Sequence, residues 1–99
     1  MNGDFAVSQS MLAMEQLDEI LSVLRGRGET ALAASSVRWI LEELTRTPME
    51  FGESRFHLEF LDLFVRVGFS GPICVNYSVN PASHQVFIRR WGLKKHRIV

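Results

Sequence analysis

The sequence is poor in cysteine and in long hydrophobic runs, and both absences restrict its class. Cys74 is the only cysteine and cannot form an intrachain disulfide, which favours a reducing, cytoplasmic location. No apolar stretch approaches the roughly 18 to 20 residues of a membrane span, so we expect no membrane association. The N-terminus lacks the basic and apolar segments of a secretory signal. Cys74 and the three histidines show no metal-ligand spacing, so neither a metal nor another cofactor is expected.

Acidic residues are absent beyond residue 62, although the formal net charge of the chain is zero. Residues 1–62 hold all eleven acidic residues and five basic ones, a net charge of −6. Residues 63–99 hold six basic residues and no acidic one, a net charge of +6. This asymmetry indicates that the C-terminal part faces an anionic partner. The alternative is that the two halves neutralise each other within the fold.

Two stretches with helical periodicity fill the first half of the chain. Ser10 can cap the first, and the glycine-rich segment 25–28 can end it. Pro48 ends the second, because proline disfavours helical backbone at the residue before it. The short turn between them predicts an antiparallel helical hairpin over about residues 10–47. Residues 5–7 are β-prone and predict a short N-terminal strand.

The apolar period changes to 2 in the second half of the chain. Three alternating stretches, separated by turns at 70–72 and 80–83, predict an antiparallel β-meander within about residues 56–92. A basic tail, residues 93–99, follows. The helical hairpin is the only available cover for the meander. The predicted fold class is therefore α+β, a single domain over residues 1–99 with the hairpin packed on one face of the sheet.

The alternation predicts one apolar and one mixed face for the sheet. The residues expected beneath the helices are Val65, Val67, Val75, Tyr77, Val86 and Ile88. Arginines, aromatic residues and small polar residues would share the opposite face, a combination that suits nucleic acid because cations hold phosphates and rings stack on bases. The alternatives are a solvated sheet face or a homodimer interface. The predicted nucleic-acid or partner-binding residues are Arg55, Phe64, Arg66, Phe87, Arg89, Arg90, Trp91, Lys94, Lys95 and Arg97.

One reaction is compatible with these residues, the metal-independent cleavage of RNA. It requires activation of the 2′-hydroxyl and cations that stabilise the charge on the pentavalent phosphate. The candidate catalytic residues are Arg66, Arg89 and His96, with Glu53 or Glu59 as a base. The alternative for His96 is an uncommitted surface residue. If the chain is an enzyme, we expect a metal-independent endoribonuclease.

The predicted order of short strand, helical hairpin and antiparallel meander resembles the RelE/ParE superfamily of type II toxins. Residues 5–10 are similar to the first strand of that family and its helix-leading serine, and residues 39–53 to its second helix and the link to the sheet. Residues 63–68, 75–80 and 86–90 are similar to its later strands. The resemblance implies a toxin component that acts on messenger RNA at the ribosome or on DNA gyrase, with a cognate antitoxin as partner.

The resemblance also bears on individual residues of the sheet. Arg66 and Arg89 fall where the family places cationic sheet residues, whereas Cys74 stands where the middle strand of the family often carries an arginine. One interpretation of this pattern is a degenerate member of the family, which keeps the fold and a binding surface but not the ribonuclease activity. The alternative to a toxin is a non-catalytic protein-interaction domain, or a homodimer, that uses the basic and aromatic sheet face.

Overall fold

The computed structural model describes residues 3–94. The elements are β1 (Ala6–Gln9), α1 (Met11–Gly26), α2 (Thr30–Arg46), α3 (Pro48–Phe51), β2 (Glu53–Leu58), a 3-10 turn (Glu59–Leu61), β3 (Leu63–Ser70), β4 (Ile73–Asn80) and β5 (Gln85–Leu93). The predicted α+β fold class is confirmed, since α1 and α2 pack on one face of a five-stranded, mainly antiparallel sheet. None of the helices within residues 3–94 has the length and apolarity to cross a membrane.

The ends of the two long helices follow from local chemistry. The Ser10 hydroxyl accepts a hydrogen bond from the backbone N–H of Ala13 at 3.0 Å and caps α1. Gly28 adopts a φ of +75°, a left-handed conformation that glycine tolerates, and this lets the chain reverse before α2. Pro48 begins α3, where its missing N–H costs no helical hydrogen bond.

The sheet has five strands, one more than the predicted N-terminal strand and the three predicted strands of the meander together. Its order is β1-β5-β4-β3-β2, with β1 parallel to β5 and every other pair antiparallel. The side chains of β2 are exposed except at Leu58, so β2 lacks the apolar alternation that reveals a half-buried strand. The predicted N-terminal strand is β1, at the edge of the sheet beside β5.

The core lies between the two helices and the face of the sheet that carries Tyr77, which we call the helix face. The buried residues that form it are Ala13, Ile20, Leu24, Ala33, Ile40, Leu44, Ile73, Val75, Tyr77, Val79, Val86, Ile88 and Trp91. The opposite side of the sheet is called the open face. Val75, Tyr77, Val86 and Ile88 are therefore on the helix face, as the alternation predicted.

Strand β3 faces the opposite way from the prediction. Arg66 pairs with the fully buried Tyr77, so Arg66 and Phe64 point to the helix face. Val65 and Val67 point to the open face, and the prediction that they lie beneath the helices is wrong. Val65 is buried but does not belong to the core cluster, in agreement with this placement.

The reversal of β3 has a steric cause. Gly68 lies on the helix face, and a Cβ atom at this position would collide with the ring of Phe51 in α3. The Arg66 guanidinium donates a hydrogen bond to the carbonyl oxygen of Gly52, which follows α3. The alternation of apolar residues indicates the opposite register, because Val65, Val67 and Phe69 share the open face whereas the helix face carries Arg66 and Gly68.

A β-bulge in β5 reverses the orientation of Trp91. Tyr77 pairs with Ile88 whereas Asn76 pairs with Arg90, so Arg89 is an extra residue in the ladder. The shift turns Trp91 from the predicted open face to the helix face, where it is buried. There its indole N–H donates to Gln9 Oε1 at 2.8 Å. The assignment of Trp91 to an exposed binding face is therefore wrong.

We expect Trp91→Phe to lower the free energy of unfolding by about 1 to 3 kcal/mol, because it removes the hydrogen bond to Gln9 and leaves space in the core. Trp39→Phe is the matched control, since Trp39 is half exposed on α2, and it should change stability by less than about 0.5 kcal/mol. Urea denaturation measures both values. Equal costs for the two variants would contradict the inward placement of Trp91.

Candidate functional site

The open face is the largest surface of the sheet that no helix covers within residues 3–94. Cross-strand pairing aligns four side chains across it, in the order Phe87, Ser78, Val65 and Phe56. Val65 and Ser78 are 2% and 7% exposed, whereas Phe56 and Phe87 are 51% and 44% exposed. The two outer phenylalanines are therefore accessible to a partner, whereas the two residues between them are covered by their neighbours. This uncovered face of the sheet is the candidate functional site.

We call this surface the trough and define it by its floor and its two walls. The floor is formed by β3 and β4, and its residues are Val65, Val67, Phe69, Cys74, Asn76 and Ser78. One wall belongs to β5, with Phe87, Arg89 and Arg90, and the other to β2, with Glu53 and Phe56. The β3 half of the floor is apolar, whereas the β4 half is small and mostly polar.

The trough has an asymmetric charge distribution. Arg89 and Arg90 are both exposed on the β5 wall, because the bulge leaves two consecutive residues on the open face. Lys94 lies at one end, with its Nζ 5.5 Å from the centroid of the Phe69 ring. Glu53, on the β2 wall, is the one acidic residue of the trough as described. The surface therefore carries a net positive charge, and that charge is concentrated on the β5 side.

The thiol of Cys74 lies on the floor of the trough, beside Phe69 in the strand pairing. Burial raises the pKa of this thiol, and a backbone hydrogen bond partly opposes the shift. The neutral thiol is a poor nucleophile, since the thiolate is the reactive form. No group of three or more His, Cys, Asp or Glu residues that could hold a metal ion occurs among the residues described.

Arg66 belongs to a hydrogen-bond network beneath the sheet. The buried Tyr77 hydroxyl donates to the carbonyl oxygen of Pro48 at 2.8 Å and accepts from the backbone N–H of Gly52 at 3.1 Å. Arg66 donates to the carbonyl oxygen of the same Gly52. Burial raises the pKa of Tyr77, although the hydrogen bond and charge of Arg66 act in the opposite direction. Arg66 thus connects the start of β2 to the core.

Three of the predicted site residues do not lie on the open face. Arg66 lies on the helix face, and so does Phe64, whose ring stacks on that of His57 with centroids 3.9 Å apart. Trp91 is buried below the sheet. Arg66 and Arg89, the two predicted catalytic arginines, are therefore on opposite faces and cannot contact the same phosphate group. The predicted catalytic set is wrong in this respect.

The structure places Phe87, Arg89 and Arg90 together in the trough. The alternation predicted this face for Phe87 and Arg89, whereas the bulge brings Arg90 to it. Two further predicted residues are exposed near the borders of the trough: Arg55, at the irregularity of β2, and Lys94, after β5. Lys95, His96 and Arg97 lie outside the described residues. The functional roles of these residues stay predictions.

Sequence reasoning missed the apolar part of the trough. Phe56 belongs to β2, a strand that was not predicted, and Val65 and Val67 were assigned to the face beneath the helices. The available signal was the glycine at position 68, which alternates with these residues and suggests a close approach on its own face of the strand.

A second concavity, of about 650 Å³, lies between α1 and α2. Leu21, Val37 and Leu41 contribute to its apolar lining. Its charged residues are of both signs: Asp4, Arg25, Arg38, Glu42 and Arg46. This groove shows no consistent charge that would select a ligand, and the trough is the better candidate site.

Comparison with protein-family models, with curated proteins and with solved structures found no match to this chain. The function of the trough is therefore interpreted from its own side chains.

We expect Arg66→Ala to destabilise the fold by about 1 to 3 kcal/mol, because Gly52 loses a hydrogen bond from a charged donor and the arginine stem no longer packs. Arg89→Ala is the matched control and should change the free energy of unfolding by less than about 0.5 kcal/mol, since Arg89 is exposed. Urea denaturation distinguishes the two. If Arg66→Ala leaves the free energy of unfolding unchanged, the inward placement of Arg66 is wrong.

Because Tyr77 is the only tyrosine, tyrosinate absorbance reports on this side chain alone. Its pKa is raised in the folded state, so the stability from burying the neutral phenol is complete below its ordinary pKa of about 10. This contribution is lost as the pH rises through the folded pKa. We expect the rise in tyrosinate absorbance to occur at a higher pH in the folded protein than in the urea-unfolded protein. Coincident titration curves would contradict the buried hydroxyl network.

Proposed function

We propose that this chain is a non-catalytic binding domain that contacts an acidic protein partner through the trough. The observation that carries the proposal is a sheet face left uncovered by the helices, with an apolar floor and an arginine-bearing wall. Such a face has the features of a protein-binding surface, where aromatic and arginine side chains supply most of the energy.

The exposed rings support a partner that buries them. Phe56, Phe69 and Phe87 are each more than two-fifths exposed on the same face of the sheet. Contiguous exposed apolar surface is uncommon on proteins without a binding role. Val65 and Val67 lie between these rings, and aliphatic side chains do not provide the stacking surface that bases require. The floor therefore suits apolar side chains better than nucleobases.

The charge of the trough indicates the sign of the partner. Arg89, Arg90 and Lys94 face it with Glu53 as the one opposing acid in the described trough. Two copies of the trough placed face to face would bring like charges together, which is unfavourable. An acidic partner avoids this repulsion. Since Arg66 is on the other side of the sheet, the domain is proposed to bind without cleaving RNA.

A second candidate is a RelE/ParE-like toxin component. The observation that favours it is the order of elements, a short strand, a helical hairpin and an antiparallel meander, with the first strand beside the last. If the chain is a toxin component, the trough contacts a target such as gyrase or the ribosome, or a cognate antitoxin.

A cytoplasmic location is proposed for both candidates, because Cys74 is a free thiol and free thiols are typical of reducing compartments.

A photo-crosslinking phenylalanine analogue at position 87 tests the proposal in cells that carry the native gene. We expect a protein adduct from this position, because Phe87 lies on the trough wall. The matched control is the same analogue in place of Phe60, which is 88% exposed in the 3-10 turn but outside the trough. Mass spectrometry identifies the adduct, and Arg90→Glu should abolish it.

The nature of the adduct discriminates between the candidates. Capture of an acidic protein from position 87, and not from position 60, supports the binding domain. Capture of gyrase, a ribosomal protein or an antitoxin supports the toxin candidate. A ribonuclease-sensitive adduct, an adduct with a second copy of the chain, or equal capture from position 60 contradicts the proposal. Absence of any adduct from position 87 contradicts it as well.

A further inference from the structure

We infer that the trough binds an amphipathic α-helix of the partner, aligned with β3 and β4, with acidic residues on the flank that faces β5. This inference rests on the proposed function and specifies the chemistry of the bound segment. It depends on the width of the trough, on its closed hydrogen-bond ladders and on the different chemistry of its two walls.

The width of the trough matches one helix. Phe87 on β5 and Phe56 on β2 are three strand positions apart, with Ser78 and Val65 between them. Neighbouring strands are about 4.8 Å apart, which separates the two walls by about 14 Å. An α-helix with its side chains is about 10 to 12 Å in diameter. From the Val65 row to the Phe69 row the floor is about 14 Å long, the length of a helix of about nine residues.

The backbone of the sheet favours a helix over an extended segment. On the trough floor, β3 and β4 are paired with each other and with their outer neighbours, so their N–H and C=O groups are already used. An extended peptide lying on such a face would bury backbone groups without hydrogen-bond partners. A helix satisfies its own backbone and presents only side chains to the floor.

The two walls determine which way the helix faces. An apolar stripe would contact Val67 and Phe69 on the β3 half of the floor. Carboxylates on the adjacent flank would then lie above β4 and reach the guanidinium groups of Arg89 and Arg90. The other flank would face Glu53 and should carry neutral or basic residues. The walls therefore specify the bound helix: an apolar stripe in the middle, acidic residues on the β5 side and no acidic residues on the β2 side.

The acidic helix α1 of a second copy is a poor occupant. It exposes Glu15, Asp18 and Glu19, but its apolar residues Ile20 and Leu24 are buried against its own sheet. Its large exposed apolar residues are Met11, Leu12 and Met14 in the first turn and Val23 near the end, so they form no continuous stripe along the helix. A separate chain that supplies both stripe and carboxylates fits the trough better.

Selection from a library of random peptides of about 16 residues, about 24 Å long when helical, tests this inference on the folded full chain. Enriched peptides should carry apolar residues every three or four positions and Asp or Glu on one flank, and circular dichroism should show helix on binding. Phe87→Ala and Arg90→Glu should each weaken binding by about tenfold or more. Phe60→Ala and Arg38→Glu, exposed and outside the trough, should change it by less than about twofold.

Cys74 gives a readout of position that does not depend on affinity. A peptide bound in the trough should slow alkylation of this single thiol, because the thiol lies on the floor. If enriched peptides protect Cys74 but tolerate central prolines and show no helix, the helical inference is wrong and the proposed function stands. If no enriched peptide protects Cys74 or responds to Phe87→Ala, both fail. Self-association that Phe87→Ala abolishes would overturn both in favour of a second copy.

Discussion

The hydroxyl group of Tyr77 is the constraint on which the arrangement of the sheet depends. It lies in a fully buried side chain, where a hydroxyl without hydrogen bonds is costly. Its two partners are the carbonyl of Pro48 and the N–H of Gly52, at the two ends of α3. The middle of β4 is thereby connected to the segment that leads into β2. Arg66, bonded to the same Gly52, is kept on the helix face as a consequence.

This inward arginine determines the chemistry of the opposite face. With Arg66 beneath the sheet, the open side of β3 carries Val65, Val67 and Phe69 instead of a cation. Arg89 and Arg90 stay exposed on β5, so both arginines lie on one wall, with the polar β4 half of the floor between them and the apolar side chains of β3. A surface of this kind suits a protein segment with carboxylates and apolar side chains, and Arg66 and Arg89 do not converge on it.

The sequence predicted much of the fold and only part of the site. The helical hairpin, the turns and the inward residues of β4 followed from periodicity and turn chemistry, because each of these signals is local. Phe87 was assigned to the correct face since it precedes the bulge in β5, and so was Arg89, the extra residue of the bulge. Trp91 was misplaced because it follows the bulge, and one extra residue reverses every later side chain.

The amino-acid sequence by itself determined the α+β class, the hairpin and the excess of positive charge near the C-terminus, since helix caps, strand alternation and composition act over short distances along the chain. Only the tertiary structure decided which side of β3 faces the helices. The more apolar side of that strand, with Val65, Val67 and Phe69, faces away from them, so the choice fell to contacts distant in sequence. These are the ring of Phe51 against Gly68 and the hydrogen bonds of Arg66 and Tyr77 to Gly52.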